Sequence, residues 1–302
     1  MLNHAFLADK IHNSGLKFVV AVTGGGTDVF GNLLRNGGGS ASLLEAVIPY
    51  NQNSFRDFVG GKPDKFVSAE AARDLAMASF QRGLKLCGET PFGDVIGIGA
   101  TSSLKKNLER NGRTHHAFVA MQTFQETRTW SLMFDESRTR EEEEGKTADL
   151  ILAAMIYASG QHIDWNHFYS GDAFLAEGMV YQNKKVSGLL TGHSKKYRHC
   201  LQDMEKMSGV LIMPGSFNPP HPGHLEMARV ASQLHNGPVN FEISVRNVDK
   251  TMLNFQEIKK RIEYLEQISE PGIHDSVYVT DAPLFTDKAK LFPGSVFIVG
   301  YD

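Results

Sequence analysis

An α/β fold is predicted, arranged as two successive domains in which strands alternate with helices. Three observations predict it. Apolar runs of strand length, at residues 18–22 and 210–213, end in glycine-containing turns and are followed by segments of helical spacing. The elements between and after them keep alternating, as in a sheet layered with helices. The 302 residues suit two cores better than one.

In the first domain, Phe18-Val19-Val20-Ala21-Val22 reads as a buried strand running into Thr23-Gly24-Gly25-Gly26-Thr27, a turn without Cβ atoms to hold a ligand off the backbone. Residues 30–34 continue as a short helix. A second glycine cluster, Gly37-Gly38-Gly39-Ser40, leads into residues 41–50, a further strand or short helix with Tyr50 at its end. Ser68 is the expected N-cap of an alanine-rich helix running to about Gly83. Residues 95–103 form a strand that ends in a small-residue loop, Gly99-Ala100-Thr101-Ser102-Ser103. Strands at 116–123 and 127–134 follow, and then a helix from about 138 to 158.

Residues 159–207 mix aromatic residues, glycines and a basic stretch, Lys195-Lys196-Tyr197-Arg198-His199. They read as a packed connector with short helices at 171–179 and 194–207; contact between the basic stretch and phosphates is the other reading. The expected boundaries are therefore 1–160, 161–207 and 208–302.

The second domain opens with the strand at 210–213. Gly215-Ser216-Phe217-Asn218-Pro219-Pro220-His221-Pro222-Gly223-His224 follows, and then a helix over 225–231. This layout puts two imidazoles and unpaired backbone N–H groups at a helix N-terminus, where the helix dipole favours an anion. A nucleotide phosphate is the expected anion. The plainer alternative is a proline-rich turn whose histidines only cap the helix; a zinc shell lacks its Cys or carboxylate ligands. Strands at 239–245, 277–279 and 296–299 and a helix at 255–267, with Ile258, Ile262 and Leu265 on one face, complete the alternation. Lys250, beyond the carboxyl end of the 239–245 strand, is a candidate phosphate contact, since ligands of open α/β sheets bind at those ends.

Composition excludes several classes. Apolar residues make up 41% and charged residues 22%, as in ordinary globular proteins. A formal charge of -3 gives no reason to expect nucleic acid. The two cysteines, Cys87 and Cys200, make no disulfide framework and suit a reducing compartment. No apolar stretch reaches the ~18 residues a membrane helix needs, and no secretory signal pattern opens the chain. A soluble cytoplasmic protein acting on small-molecule nucleotides, with neither nucleic acid nor membrane as partner, is expected.

The Gly215–His224 element resembles the HxGH signature of the nucleotidyltransferase superfamily, and most of all that of the nicotinamide and nicotinate mononucleotide adenylyltransferases. The resemblance implies a Rossmann-like domain. It also implies that His221 and His224 bind the ATP phosphates with Mg2+ sharing the charge, and that Gly215, Ser216, Phe217, Asn218 and Gly223 shape the nucleotide site. Gly300-Tyr301-Asp302 is similar to the family's mononucleotide-contacting element, which marks Asp302. The family's later Ser/Thr-Arg phosphate motif has no counterpart before residue 302, so the second domain is expected to be incomplete or the chain a fragment.

The first domain resembles the carboxy-terminal domain of the competence/damage-inducible protein CinA, the nicotinamide mononucleotide deamidase family. The likeness rests on the glycine turn after the first strand, Tyr50, Val67-Ser68-Ala69-Glu70-Ala71-Ala72-Arg73, Gly99-Ala100-Thr101, and Ser137-Arg138. It implies a pocket of Gly24, Gly25, Gly26, Tyr50, Thr101 and Arg138, no cofactor, and self-association into a homo-oligomer. The family pattern Ala-Glu-Ser-Cys-Thr-Gly-Gly stands here as Ala21-Val22-Thr23-Gly24-Gly25-Gly26-Thr27, so a serine-type nucleophile survives only as Thr23. No general base is evident beside it. Two alternatives stay open: a hydrolase with Thr23 as its catalytic hydroxyl, or a catalytically degenerate domain that binds nucleotide or builds an oligomer. Deamidation followed by adenylyl transfer would place consecutive steps of NAD biosynthesis on one chain.

Overall fold

The computed structural model describes residues 3–106, 114–169, 171–180, 184–200, 210–247, 250–268 and 273–300. The chain divides into two compact units, Met1–Val180 with Asp249–Thr251, and Tyr181–Val248 with Met252–Asp302. Both are mixed α/β. Among the described residues, no helix is long and apolar enough to cross a membrane.

The first unit runs α1 (His4–His12), β1 (Lys17–Thr23), α2 (Asp28–Leu34), β2 (Leu43–Val47), α3 (Gln52–Val59), α4 (Ala69–Leu86), β3 (Val95–Ser103), β4 (His116–Gln122), β5 (Glu126–Met133), α5 (Arg140–Ala158), α6 (Asn166–Tyr169) and β6 (Ala173–Val180). Its six-stranded sheet has the order β2-β1-β3-β4-β5-β6. β1 pairs in parallel with β2 and β3, and β3 to β6 form an antiparallel meander. The interior of β1 is buried on both faces, as in strands covered by helices on either side. Phe18, Val20 and Val22 meet α1, α2 and α5, whereas Ala21 meets α3 and α4.

Ser68 caps α4 as expected, accepting from the Ala71 N–H. The alanine-rich helix then lies directly on β3, because a Cβ at Gly97 would stand 2.1 Å from the Ala76 carbonyl oxygen, and one at Gly99 2.3 Å from the Ala76 nitrogen. α5 starts with a Thr139/Glu142 capping box. Its second half is buried all round, Leu150 to Ile156 lying in the core of the unit.

The second unit contains α7 (Lys184–Thr191), β7 (Lys196–Cys200), β8 (Leu211–Pro214), α8 (Pro222–His235), β9 (Val239–Ser244), α9 (Phe255–Glu266), β10 (His274–Thr280), α10 (Phe285–Leu291) and β11 (Val296–Phe297). Its sheet has the order β11-β8-β9-β10-β7, parallel throughout except for β7 on the β10 edge. The chain leaves β8 for β9 and β10 on one side and returns to β11 on the other. This reversal makes the carboxyl ends of β8 and β11 a topological switch point, the place where open sheets bind ligands.

Three expectations are corrected here. Residues 161–207 are not a separate connector, since β6 completes the first sheet and β7 extends the second. The helices expected at 171–179 and 194–207 are strands at 173–180 and 196–200, because each segment has a neighbouring strand whose ladder outweighs its local preference; 201–207 lie outside the described residues. The loop expected at 99–101 is likewise strand, since β3 runs on to Ser103 against β4.

Candidate functional site

The HxGH turn leaves the carboxyl end of β8. The Gly215 N–H extends the sheet ladder to the Glu242 carbonyl at 3.0 Å. Phe217 follows with a φ of 45°, and its buried ring packs edge-on to Phe241 (5.0 Å) and His224 (5.1 Å). A side chain at position 215 would collide with that ring, its Cβ 2.5 Å from Cζ, which accounts for the glycine. Arg261 of α9 donates from Nη1 to the Ser216 carbonyl at 3.2 Å. The turn is thus clamped from below by a ring and a guanidinium. Burial lowers the Arg261 pKa while Glu257 opposes the shift.

The two histidines come together at the start of α8. His221 is the N-cap and Pro222 takes the first helical position, where the missing N–H costs nothing. The imidazole centroids lie 3.7 Å apart, and the His221 N–H donates to Nδ1 of His224 at 3.1 Å. An imidazole that accepts at Nδ1 carries its proton on Nε2. Burial, and after it the neighbouring His221, lowers the His224 pKa and so favours this neutral form. His221 and Gly223 are exposed, as are Ser216 and Asn218. Lys250 is exposed and belongs to the 249–251 stretch counted with the first unit. Asp302 lies outside the described residues.

The first-unit residues are brought together only in part. Thr23, half-buried at the end of β1, is the register partner of Thr101 on β3. Thr101 is buried and donates its hydroxyl to the Phe66 carbonyl at 2.7 Å. The glycine turn is packed by the protein itself. A Cβ at Gly25 would stand 2.1 Å from Leu104 Cδ1 and 2.6 Å from Glu144 Oε2, and one at Gly26 2.7 Å from Thr147 Cγ2. The missing side chains therefore admit Leu104, just past β3, and α5 rather than leaving a bare cradle. Tyr50 is 68% exposed.

Arg138 is already engaged, donating from Nε to Asp172 at 2.6 Å, with Lys146 at 2.8 Å from the other carboxylate oxygen. Burial works against charge on Asp172, but hydrogen bonds from Arg138, Lys146 and the Asp135 N–H prevail and lower its pKa. The bond to Asp172 raises that of Arg138.

Three arrangements escape a reading of the sequence. His115, just before β4, bonds through Nδ1 to the fully buried Glu143 at 2.8 Å, and Glu143 also accepts the Lys105 N–H at 2.5 Å. Among the described residues, Nε2 of His115 has no partner. Lys195, Arg246 and Asp281 meet at the carboxyl edge of the second sheet. Arg261 alone left a signal, a charge at the i+3 position of the apolar stripe Ile258, Ile262, Leu265.

Residues 212–302 match the cytidylyltransferase-like family model. Solved structures of competence/damage-inducible proteins are similar over about half of the chain. The protein CihA of Agrobacterium tumefaciens is 17% identical, covering 52% of this chain and 96% of its own, with a TM-score of 0.43. A competence or damage-inducible protein of Enterobacter asburiae is 16% identical, covering 53% and 99%, with a TM-score of 0.43. The competence damage-inducible protein A (ComA) of Klebsiella pneumoniae is 16% identical, covering 51% and 95%, with a TM-score of 0.40. Among curated proteins there is no match.

Proposed function

We propose that the second unit transfers an adenylyl group from ATP to a phosphorylated acceptor, a pyridine mononucleotide in the reading its motif favours. The observation that carries this is the pair of imidazoles brought together at the exposed N-terminus of α8, beside the switch point of the sheet. In such a transfer a phosphate oxygen of the acceptor attacks the α-phosphorus, its new P–O bond forms, and the bond to pyrophosphate breaks. The protein contributes position and charge stabilisation. The Nε2–H of His224, fixed by the bond at Nδ1, donates to phosphate oxygens; His221 and the helix N-terminus add to that field. A Mg2+ bound together with the nucleotide would share the charge of the triphosphate in this reading.

The test is pyrophosphate release from ATP plus nicotinate mononucleotide with Mg2+. His224→Ala should lower the rate about 100- to 1000-fold, the usual loss when one preorganised donor is removed. Equal rates in the two proteins would reject the assignment.

A second reading, hydrolysis of a carboxamide such as that of nicotinamide mononucleotide in the first unit, is favoured by the His115–Glu143 pair. A buried carboxylate that fixes Nδ1–H leaves Nε2 able to take a proton from water or from the Thr23 hydroxyl. Leu104 and Lys105 bridge the pair to the glycine turn: one fills the space at Gly25, the other donates to Glu143. Ammonia release that falls about 100-fold in His115→Gln would support this role. Absence of release from the unmodified chain would leave the first unit as a binding or oligomer-forming module.

A further inference from the structure

The basic stretch that opens and forms most of β7, the partner strand of β10, is not used by the HxGH turn, yet the topology brings its first residue to the same edge of the sheet. β7 runs antiparallel to β10, with Lys196 opposite Thr280, so its beginning lies at the carboxyl end of β10. There the Asp281 N–H donates to the Lys195 carbonyl at 3.0 Å, and Lys195 Nζ meets Asp281 Oδ2 at 2.9 Å. Arg246, two residues beyond β9, donates from Nε to Asp281 Oδ1 at 3.0 Å. The carboxylate is buried, its side chain 5% exposed, whereas Lys195 and Arg246 are 59% and 47% exposed. One buried anion thus holds two outward cations, leaving a net positive charge. The terminal nitrogens of Arg246 have no partner among the described residues.

We propose that Lys195 and Arg246 form a phosphate-binding subsite for the acceptor, contributed in part by a strand outside the 212–302 region that matches the cytidylyltransferase-like family. This rests on the transferase reading above. Strands in a sheet are about 4.8 Å apart, and the pair follows β9 and β10 while the HxGH turn follows β8. The strands that carry the cations therefore stand about one to two strand spacings from β8, which leads into the HxGH turn, on the side away from β11. Joining two phosphorylated substrates needs a second anion site at about that distance. The planar fork of Arg246 suits a phosphate monoester, and Asp281 preorganises it.

Calorimetric titration of the full chain separates the possibilities. The probes are nicotinate mononucleotide, the same nucleoside without phosphate, and ATP. The unmodified chain should prefer the mononucleotide to the nucleoside. Lys195→Gln and Arg246→Gln, whose amides still donate to Asp281, should each weaken mononucleotide binding about ten-fold and leave the nucleoside and ATP unchanged; Arg246→Lys should restore part of the loss. Unaltered mononucleotide binding in both Gln variants, no mononucleotide binding beside intact ATP binding, or a loss confined to ATP would overturn the acceptor subsite. Failure of the transferase reading registers separately, as ATP binding indifferent to His224→Ala.

Discussion

Replacing Lys288 by alanine is expected to destabilise the second unit by about 3–5 kcal/mol, the cost of stranding a buried charge. Glu242 sits at the centre of β9 and is fully buried. One of its oxygens accepts the Thr280 hydroxyl, and the other meets Lys288 Nζ at 2.6 Å, with Lys288 itself 6% exposed. Alanine removes the cation and leaves the carboxylate without water. The double variant Lys288→Met, Glu242→Leu should recover most of the loss, since an apolar pair of similar volume needs no compensation. Urea unfolding of the three proteins measures both effects. A cost below about 1 kcal/mol for Lys288→Ala would mean that water reaches the pair, against the burial described above.

Gly97→Ala should cost the first unit about 3 kcal/mol or more, at the upper end of what overpacking produces. The added Cβ would meet the Ala76 carbonyl oxygen at 2.1 Å and the Phe80 nitrogen at 2.3 Å. Both are backbone atoms of α4, so no rotamer relieves the clash and the helix must lift off β3. Gly145→Ala is the control. That glycine lies within α5 with nothing within 4 Å of its would-be Cβ, and alanine there should stabilise by about 0.5–1 kcal/mol. Thermal melts of the pair give opposite signs if packing of α4 on β3 dominates.

The strands β1, β3, β8 and β9 were legible because each is an apolar run closed by a turn or helix signal. α4 was legible through Ser68 and its alanines. β6 was not: Ala173, Leu175, Ala176 and Glu177 are exposed residues of an edge strand, so they show no alternation of burial, and several are good helix formers. β7 is five residues long and owes its existence to β10, about 80 residues away in sequence. His221 and His224 could be found because one turn holds both. Lys195, Arg246 and Asp281 come from three separate connections, and nothing local links them. The glycine turn of the first unit is ambiguous for a related reason, since a missing Cβ signals close approach without saying whether a ligand or Leu104 approaches.

The claim that His221 and His224 hold a nucleotide triphosphate at the start of α8 is tested most directly by NMR of the imidazole nitrogens during titration with ATP. In the free protein at neutral pH, His224 should carry its proton on Nε2 and titrate below the ordinary 6.5, because burial and His221 disfavour its charge. ATP should shift the resonances of both rings and raise the His224 midpoint, since a nearby polyanion stabilises the imidazolium. Resonances and midpoint unmoved at saturating ATP would contradict the account.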